Sequence, residues 1–270
     1  MPEATEKNLG PVGRFLAMPA DNPVKTVIVA VGLCLFCSMI VSAAAVALKP
    51  IQEQNKVLDK KRNILEVAGL YKPGINISEA FSNIEARVVD LETGKFTEAV
   101  DPATYDQRAA AKDPAQSIKL DDDPASIGRK AKLASVYLIR DDAGEIQTII
   151  LPVHGYGLWS TLYGFVALKS DGNEVSGFQF YEHAETPGLG AEVDNPNWKA
   201  LWPGKKIYDE DGAVKITVAK GVPSANMADY HIDSLAGASL TARGVDNLVR
   251  FWMGDQGFKQ FLDNLKAGEA

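Results

Sequence analysis

The sequence predicts an α+β protein: one N-terminal transmembrane helix, then a soluble domain built on an antiparallel sheet with packed helices. Three observations carry this. Thr26–Leu48 is a run of 23 residues without a charge. From Lys132 onward, five segments rich in β-branched and aromatic residues alternate with turn dipeptides. The end of the chain regains helical spacing. With 46% hydrophobic residues in 270, the chain can bury a substantial core, and wholesale disorder is excluded. The expected boundaries are a tail over 1–25, a span over 26–48, a stalk and first part of the soluble region over 49–131, and the main domain over 132–270.

As a helix the uncharged run is roughly 35 Å long, about the thickness of a bilayer's hydrocarbon core. A signal peptide carries a shorter apolar region, although Ala43-Ala44-Ala45 imitates a cleavage site. Length favours an uncleaved anchor. Lys7, Arg14 and Lys25 precede the run, while Lys49, Lys56, Lys60, Lys61 and Arg62 follow it. A simple count of cations would keep the large C-terminal part in the cytoplasm, but long domains translocate regardless of charge, so composition leaves the side open. Cys34 and Cys37, the only cysteines, lie inside the run as C-x-x-C and read as small apolar residues on a helix face.

Pro50 is placed to open a new helix just outside the bilayer. Ile51, Leu58 and Leu65 recur every seven residues up to Gly69, which gives an amphipathic stalk. Ser78–Ile84 reads as a short capped helix, and "EARVVDLETGKF" as a strand and turn. Residues 101–130, dominated by Asp, Ala and Pro, read as a loop, with Asp121-Asp122-Asp123 as solvated surface. The strands follow: "KLASVYLIR", "IQTIILPV", "TLYGFVALK", "VSGFQFYEH" and "VKITVA". "RGVDNLVRFWM" and "GFKQFLDNL" close the chain as helices.

The net charge of −7, without a basic run, excludes nucleic acid as a main partner. His154, His183 and His231 lack metal-ligand spacing and read as loop or sheet residues satisfied by hydrogen bonds. "GASLT" has Thr241 where a nucleophile elbow has its last glycine, and no histidine follows residue 231, so a hydrolase is not expected. Two glycine-bearing loops, "HGYGLWS" and "ETPGLGAEV", each carry one bulky apolar residue, Trp159 or Leu189. They suit a flat ligand that needs close backbone approach and apolar faces. They also read as plain tight turns, Thr186-Pro187-Gly188 being a natural type II turn.

"DSLAGASLTARGV", Asp233 to Val245, adds a third element. Gly237 and Ala238 leave room around the Ser239 hydroxyl, and the residues behind it read as a helix whose free N–H groups suit a phosphate. Ser239 or Thr241 as a helix cap is the simpler account, but it leaves the small residues unexplained.

Together "DSLAGAS", "ETPGLG" and "GYGLWS" resemble the family of FMN-binding electron-transfer domains with the flavinylation motif D-x-x-[ST]-G-A-[ST]. Within it, the chain is similar to the C subunit of the Na⁺-translocating NADH:quinone reductase. The resemblance implies FMN joined by a phosphoester to Ser239, delivered by a flavin transferase that recognises Asp233. It implies a flavin lined by Glu185, Thr186, Leu189 and Gly190, with Trp159 nearby and Gly237 and Ala238 beside the attachment. Ala236 stands where the family has Ser or Thr, and Ser239 where Thr is usual, which makes Thr241 a rival acceptor. The resemblance further implies an electron-relay subunit in a six-subunit, Na⁺-pumping complex of the bacterial inner membrane, single-pass with a periplasmic soluble domain. It would take electrons from a membrane iron–sulfur centre, pass them to another flavin subunit, and bind no NADH, quinone or Na⁺ alone. The G subunit of an Rnf-type ferredoxin:NAD⁺ complex and a cofactor-free, membrane-anchored assembly module are the alternatives.

Overall fold

The structure, a computed structural model, describes residues 10–270. The first part of the expected tail, residues 1–9 with Lys7, therefore lies outside the described residues. The chain divides into two units, Met1–Lys56 and Val57–Ala270.

The first unit contains α1 (Pro11–Ala17) and most of α2 (Pro23–Val67). Asn22 begins α2 by accepting the Val24 and Lys25 backbone N–H groups at 2.9 and 3.3 Å. A window of α2 reaches a mean hydropathy of 2.6 with none of it buried, so this one helix is long and apolar enough to cross a membrane. Cys34 and Cys37 are both exposed on it. The sequence predicts a new helix at Pro50, whereas α2 runs through Pro50 without a break. Proline's fixed φ is itself helical, and the one lost hydrogen bond is small beside those of 45 residues.

In the second unit, the end of α2 buries Ile64, Leu65 and Val67. Next comes α3 (Ile77–Phe81), started not by Ser78 but by Asn76, whose side chain accepts from Ser78 and Glu79 N–H. β1 (Ile84–Asp90) and β2 (Lys95–Phe96) form the expected strand and turn. The stretch expected to be a loop contains α4 (Gln107–Lys112), capped by Asp106, and the small ladder of β3 (Ser117–Lys119) with β4 (Arg129–Ala131). Asp123 there accepts from Ile127 and Gly128 N–H, fixing a turn.

β5 (Leu133–Arg140), β6 (Ile146–Tyr156), β7 (Thr161–Lys169) and β8 (Val175–Glu182) complete a six-stranded antiparallel sheet in the order β2-β1-β5-β6-β7-β8. β1 pairs along its whole length with β5, so the sheet draws on both sides of residue 131. Every β5 residue from Ala134 to Ile139 is buried, because both faces of the sheet are covered. One face, with Tyr137, Ile150, Phe165 and Ala167, meets the last turns of α2.

The other face, with Leu138, Leu151, Val153 and Val166, packs against α6 (Ser239–Met253) and α7 (Lys259–Ala267). Between β8 and α6 in the chain lie α5 (Pro196–Lys199) and the short strands β9 (Thr217–Ala219) and β10 (His231–Asp233). "VKITVA" thus contributes only three strand residues, in a parallel pair outside the main sheet. α6 buries Ala242, Val245, Leu248, Val249 and Trp252, the helical spacing evident in the sequence.

The seam between α2 and β8 is tight. A Cβ on Gly177 would lie 2.2 Å from the Val67 carbonyl oxygen, and Gln179 Nε2 donates to Glu66 Oε2 at 2.6 Å beside it. Gly177→Ala should therefore cost about 2 kcal/mol through overpacking, a fall of about 4–8 °C in Tm for a body of this size. Thermal unfolding followed by circular dichroism checks this; an unchanged midpoint would mean the seam yields freely.

Candidate functional site

β8 ends at Glu182, and the chain turns so that Glu185 points back inside, where it is only 5% exposed. Its Oε1 accepts three consecutive backbone N–H groups, from Leu158, Trp159 and Ser160, at 3.1, 2.9 and 3.3 Å. Its Oε2 accepts the Thr241 hydroxyl at 2.7 Å. One carboxylate thus ties the β6–β7 loop, the segment after β8 and the first turn of α6 together. Burial pushes the Glu185 carboxyl up, but the donors outweigh it and hold the group below its ordinary 4.5. Glycine is required around it. A Cβ on Gly157 would lie 2.7 Å from Oε1, and one on Gly190 would lie 2.6 Å from both Oε2 and the Thr241 oxygen.

The neighbouring groups complete the frame. His183 Nδ1 accepts the Glu185 N–H at 3.2 Å while its Nε2 lies 2.8 Å from Asp194 Oδ2. Thr186-Pro187-Gly188 forms the expected turn, with Leu189 N–H donating to the Thr186 carbonyl and Gly188 at φ 74°. α6 meets the end of β6 so closely that a Cβ on Gly244 would lie 2.4 Å from the Tyr156 carbonyl.

On the outer side of this frame lies a small surface. Ser239 is the first residue of the 15-residue α6 and is exposed; the preceding Ala238 provides no side-chain cap. Among the described residues the first N–H groups of α6 therefore have no capping oxygen, and they carry the positive end of the helix dipole. Trp159 (65% exposed) and Leu189 (46%) stand out from the two loops, and Leu189 lies against Gly237. Leu158 and Leu240 are exposed beside them. An open hydroxyl, free N–H groups and apolar side chains match what a phosphate ester bearing a flat ring system needs.

The sequence-derived residues thus divide. Trp159, Thr186, Leu189, Gly237 and Ser239 are exposed, whereas Glu185, Gly190, Ala238 and Thr241 are buried. The Thr241 hydroxyl, fully buried and donated to Glu185, is closed off as an acceptor in this conformation. Glu185 and Gly190 act from beneath the surface. Asp233 is exposed, with its carbonyl accepting from Trp198 Nε1 at 2.8 Å and its carboxylate 3.2 Å from His231.

Sequence reasoning missed Leu158, Leu240 and the His183–Asp194 pair. The two leucines were legible as apolar neighbours of chosen residues; the pair was not, since only folding brings it together. His154 differs from the expected hydrogen-bonded residue. It is wedged between the Tyr163 and Trp252 rings, 5.4 and 4.9 Å away, and burial, with Arg108 adding to it, pushes its imidazole down to about 4. Among the described residues no group of three His, Cys, Asp or Glu is set to hold a metal ion.

A carboxyl held below its unfolded value stabilises the fold fully above that value, and the contribution is lost as pH falls through the folded value. Glu185→Gln should therefore be less stable than the parent at neutral pH, by about 1–3 kcal/mol. The difference should shrink as pH drops below 4.5. Urea unfolding of both proteins at neutral and acid pH is the measurement. A gap that stays constant would show that the ionised carboxylate is not what holds the loops.

Residues 157–254 match the model of the FMN-binding domain family. The chain is 53% identical over 258 residues to the C subunit of the Na⁺-translocating NADH-quinone reductase of Pseudomonas aeruginosa, covering 93% of this chain and 98% of that one. It is 49% identical to the same subunit of Vibrio alginolyticus, covering 94% and 99%. The crystal structure of Shewanella oneidensis NqrC superposes with a TM-score of 0.74 at 34% identity, over 79% of this chain and 99% of that one. The corresponding protein from Parabacteroides distasonis gives 0.61 at 29% identity, over 80% and 96%. With an exposed serine at the head of a helix and a match along nearly its whole length, the chain belongs to the C-subunit family of the Na⁺-translocating NADH-quinone reductase, an oxidoreductase complex, and carries that family's FMN-binding domain.

Proposed function

We propose that Ser239 Oγ holds FMN through a phosphoester and that the domain relays electrons within the Na⁺-pumping complex. The observation that carries this is the contrast between two hydroxyls on one helix turn. Ser239 is exposed at the uncapped start of α6, while Thr241 is buried and committed to Glu185. In the attachment step Ser239 Oγ forms a bond to phosphorus, its proton leaves, and the leaving group of an activated flavin nucleotide departs. A flavin transferase brings that nucleotide and reads the exposed Asp233.

The bound flavin supplies reversible electron transfer; the protein supplies position and surroundings. The N–H groups at the start of α6 would stabilise the ester's negative charge. Trp159 and Leu189 would offer apolar contact to the flavin ring, with Thr186 and Gly237 alongside them. Glu185, Gly190, Ala238 and Thr241 support these groups from below. Held by a permanent ester, FMN would let the domain take electrons from a membrane iron–sulfur centre and pass them to a flavin in a neighbouring subunit. The chain works as one of six subunits, with α2 as a single span of the bacterial inner membrane and the soluble body on the periplasmic side.

The full chain expressed with a flavin transferase should gain the mass of one FMN less water and fluoresce under ultraviolet light after denaturing electrophoresis. Ser239→Ala should lose both signals, and Thr241→Val should keep the adduct. A parent protein without the adduct, or a fluorescent Ser239→Ala protein, would sink the assignment.

A further inference from the structure

The exposed side of α6 continues one turn past Ser239 to Arg243. Residues four apart on a helix share a face, with Cβ atoms about 5–6 Å apart. Side chains also lean toward the helix N-terminus, which carries the later residue over the earlier one. Both Ser239 and Arg243 are exposed.

Arg243 makes no ion pair, hydrogen bond or ring contact among the described residues. Several other arginines of the soluble body are engaged: Arg62 with Glu66, Arg87 and Arg140 with Glu85, Arg108 with Glu182, and Arg129 with Ser117. The carboxylate nearest to Arg243 along its helix, Asp246, accepts the Val218 N–H at 2.7 Å and forms no ion pair with Arg243 among the described residues. Glu185 is already committed to four donors. At the head of the helix, Ala236 has no hydroxyl to offer and Gly237 no side chain. An unpaired guanidinium thus stands one turn from an open acceptor, in a chain of net charge −7.

We infer that Arg243 is a positioning residue for the phosphate on Ser239, pairing with the anionic oxygens of the phosphodiester and with the phosphoryl group as it arrives. This rests on the reading of Ser239 as the attachment point. A phosphodiester keeps two non-bridging oxygens and one negative charge, and the planar guanidinium fork matches that pair. The N–H groups at the start of α6 approach the same phosphate along the helix axis, and Arg243 approaches from the exposed side. Lysine would supply the charge without the fork.

The test uses the full chain with its flavin transferase, comparing the parent, Arg243→Gln and Arg243→Lys. Intact mass gives the attachment rate at low and high salt, and phosphorus NMR reports the finished diester. Arg243→Gln should slow attachment about three- to fivefold at low salt, the size of one exposed charge pair. It should also flatten the salt dependence and move the phosphorus resonance. Arg243→Lys should keep the salt dependence and recover part of the rate. Attachment at the parent rate with an unmoved resonance overturns the inference. So does slower attachment with an unmoved resonance, because the arginine would then serve transferase docking rather than the diester. A parent chain that gains no adduct overturns the reading of Ser239 instead.

Discussion

The Glu185 carboxylate is the constraint on which the functional end of the molecule depends. Its two oxygens gather three loop N–H groups and one hydroxyl from segments that are far apart in sequence. A buried ionised group is tolerated only when its lone pairs are filled. Here they are filled by atoms whose positions define the outer surface. Once Leu158, Trp159 and Ser160 are drawn onto Oε1, Trp159 has little choice but to project outward. Once Thr241 is drawn onto Oε2, the register of α6 is set and Ser239 emerges at its exposed start. The glycines at 157 and 190 follow from the same demand, since any side chain there would occupy the carboxylate's space.

This arrangement separates holding from reacting. The groups that fix geometry are buried and satisfied, while those suited to a ligand are exposed and short of partners. α6 spans both roles. Its inner face packs Val245, Leu248 and Trp252 against the sheet, and its outer face carries Ser239 and Arg243. A helix anchored along one side by apolar burial offers a rigid platform, so the ends of its dipole and its exposed side chains hold fixed positions. The sheet provides the reference for that platform. Its far face is closed by the last turns of α2, whose approach at Gly177 and Gln179 leaves no slack.

Long apolar runs and alternating strands are local signals, and local signals are what a sequence displays. The 23-residue uncharged stretch, the strands from 133 to 182 and the helical spacing of α6 were all legible because each depends on neighbours along the chain. Local readings faltered where competing local preferences were close. Pro50 can start a helix or sit within one, and α2 took the second course. Residues 101–130 look like a loop because Asp and Pro dominate them, yet Asp106 caps α4 and β3 pairs with β4. Three residues of "VKITVA" found a parallel partner in β10 rather than a place in the main sheet.

For the site, the sequence by itself determined the components: a helix led by small residues and a hydroxyl, two glycine-bearing loops, and one bulky apolar side chain in each. The motif resemblance singled out Glu185, Thr186, Leu189 and Gly190 without distinguishing their duties. Only the tertiary structure decided which hydroxyl is open and which is locked, and which of those residues lie beneath the surface. The reason is that a buried carboxylate must find donors wherever the fold brings them. Glu185 and Thr241 are 56 residues apart, and no spacing along the chain encodes a hydrogen bond that a sheet and a helix must first close.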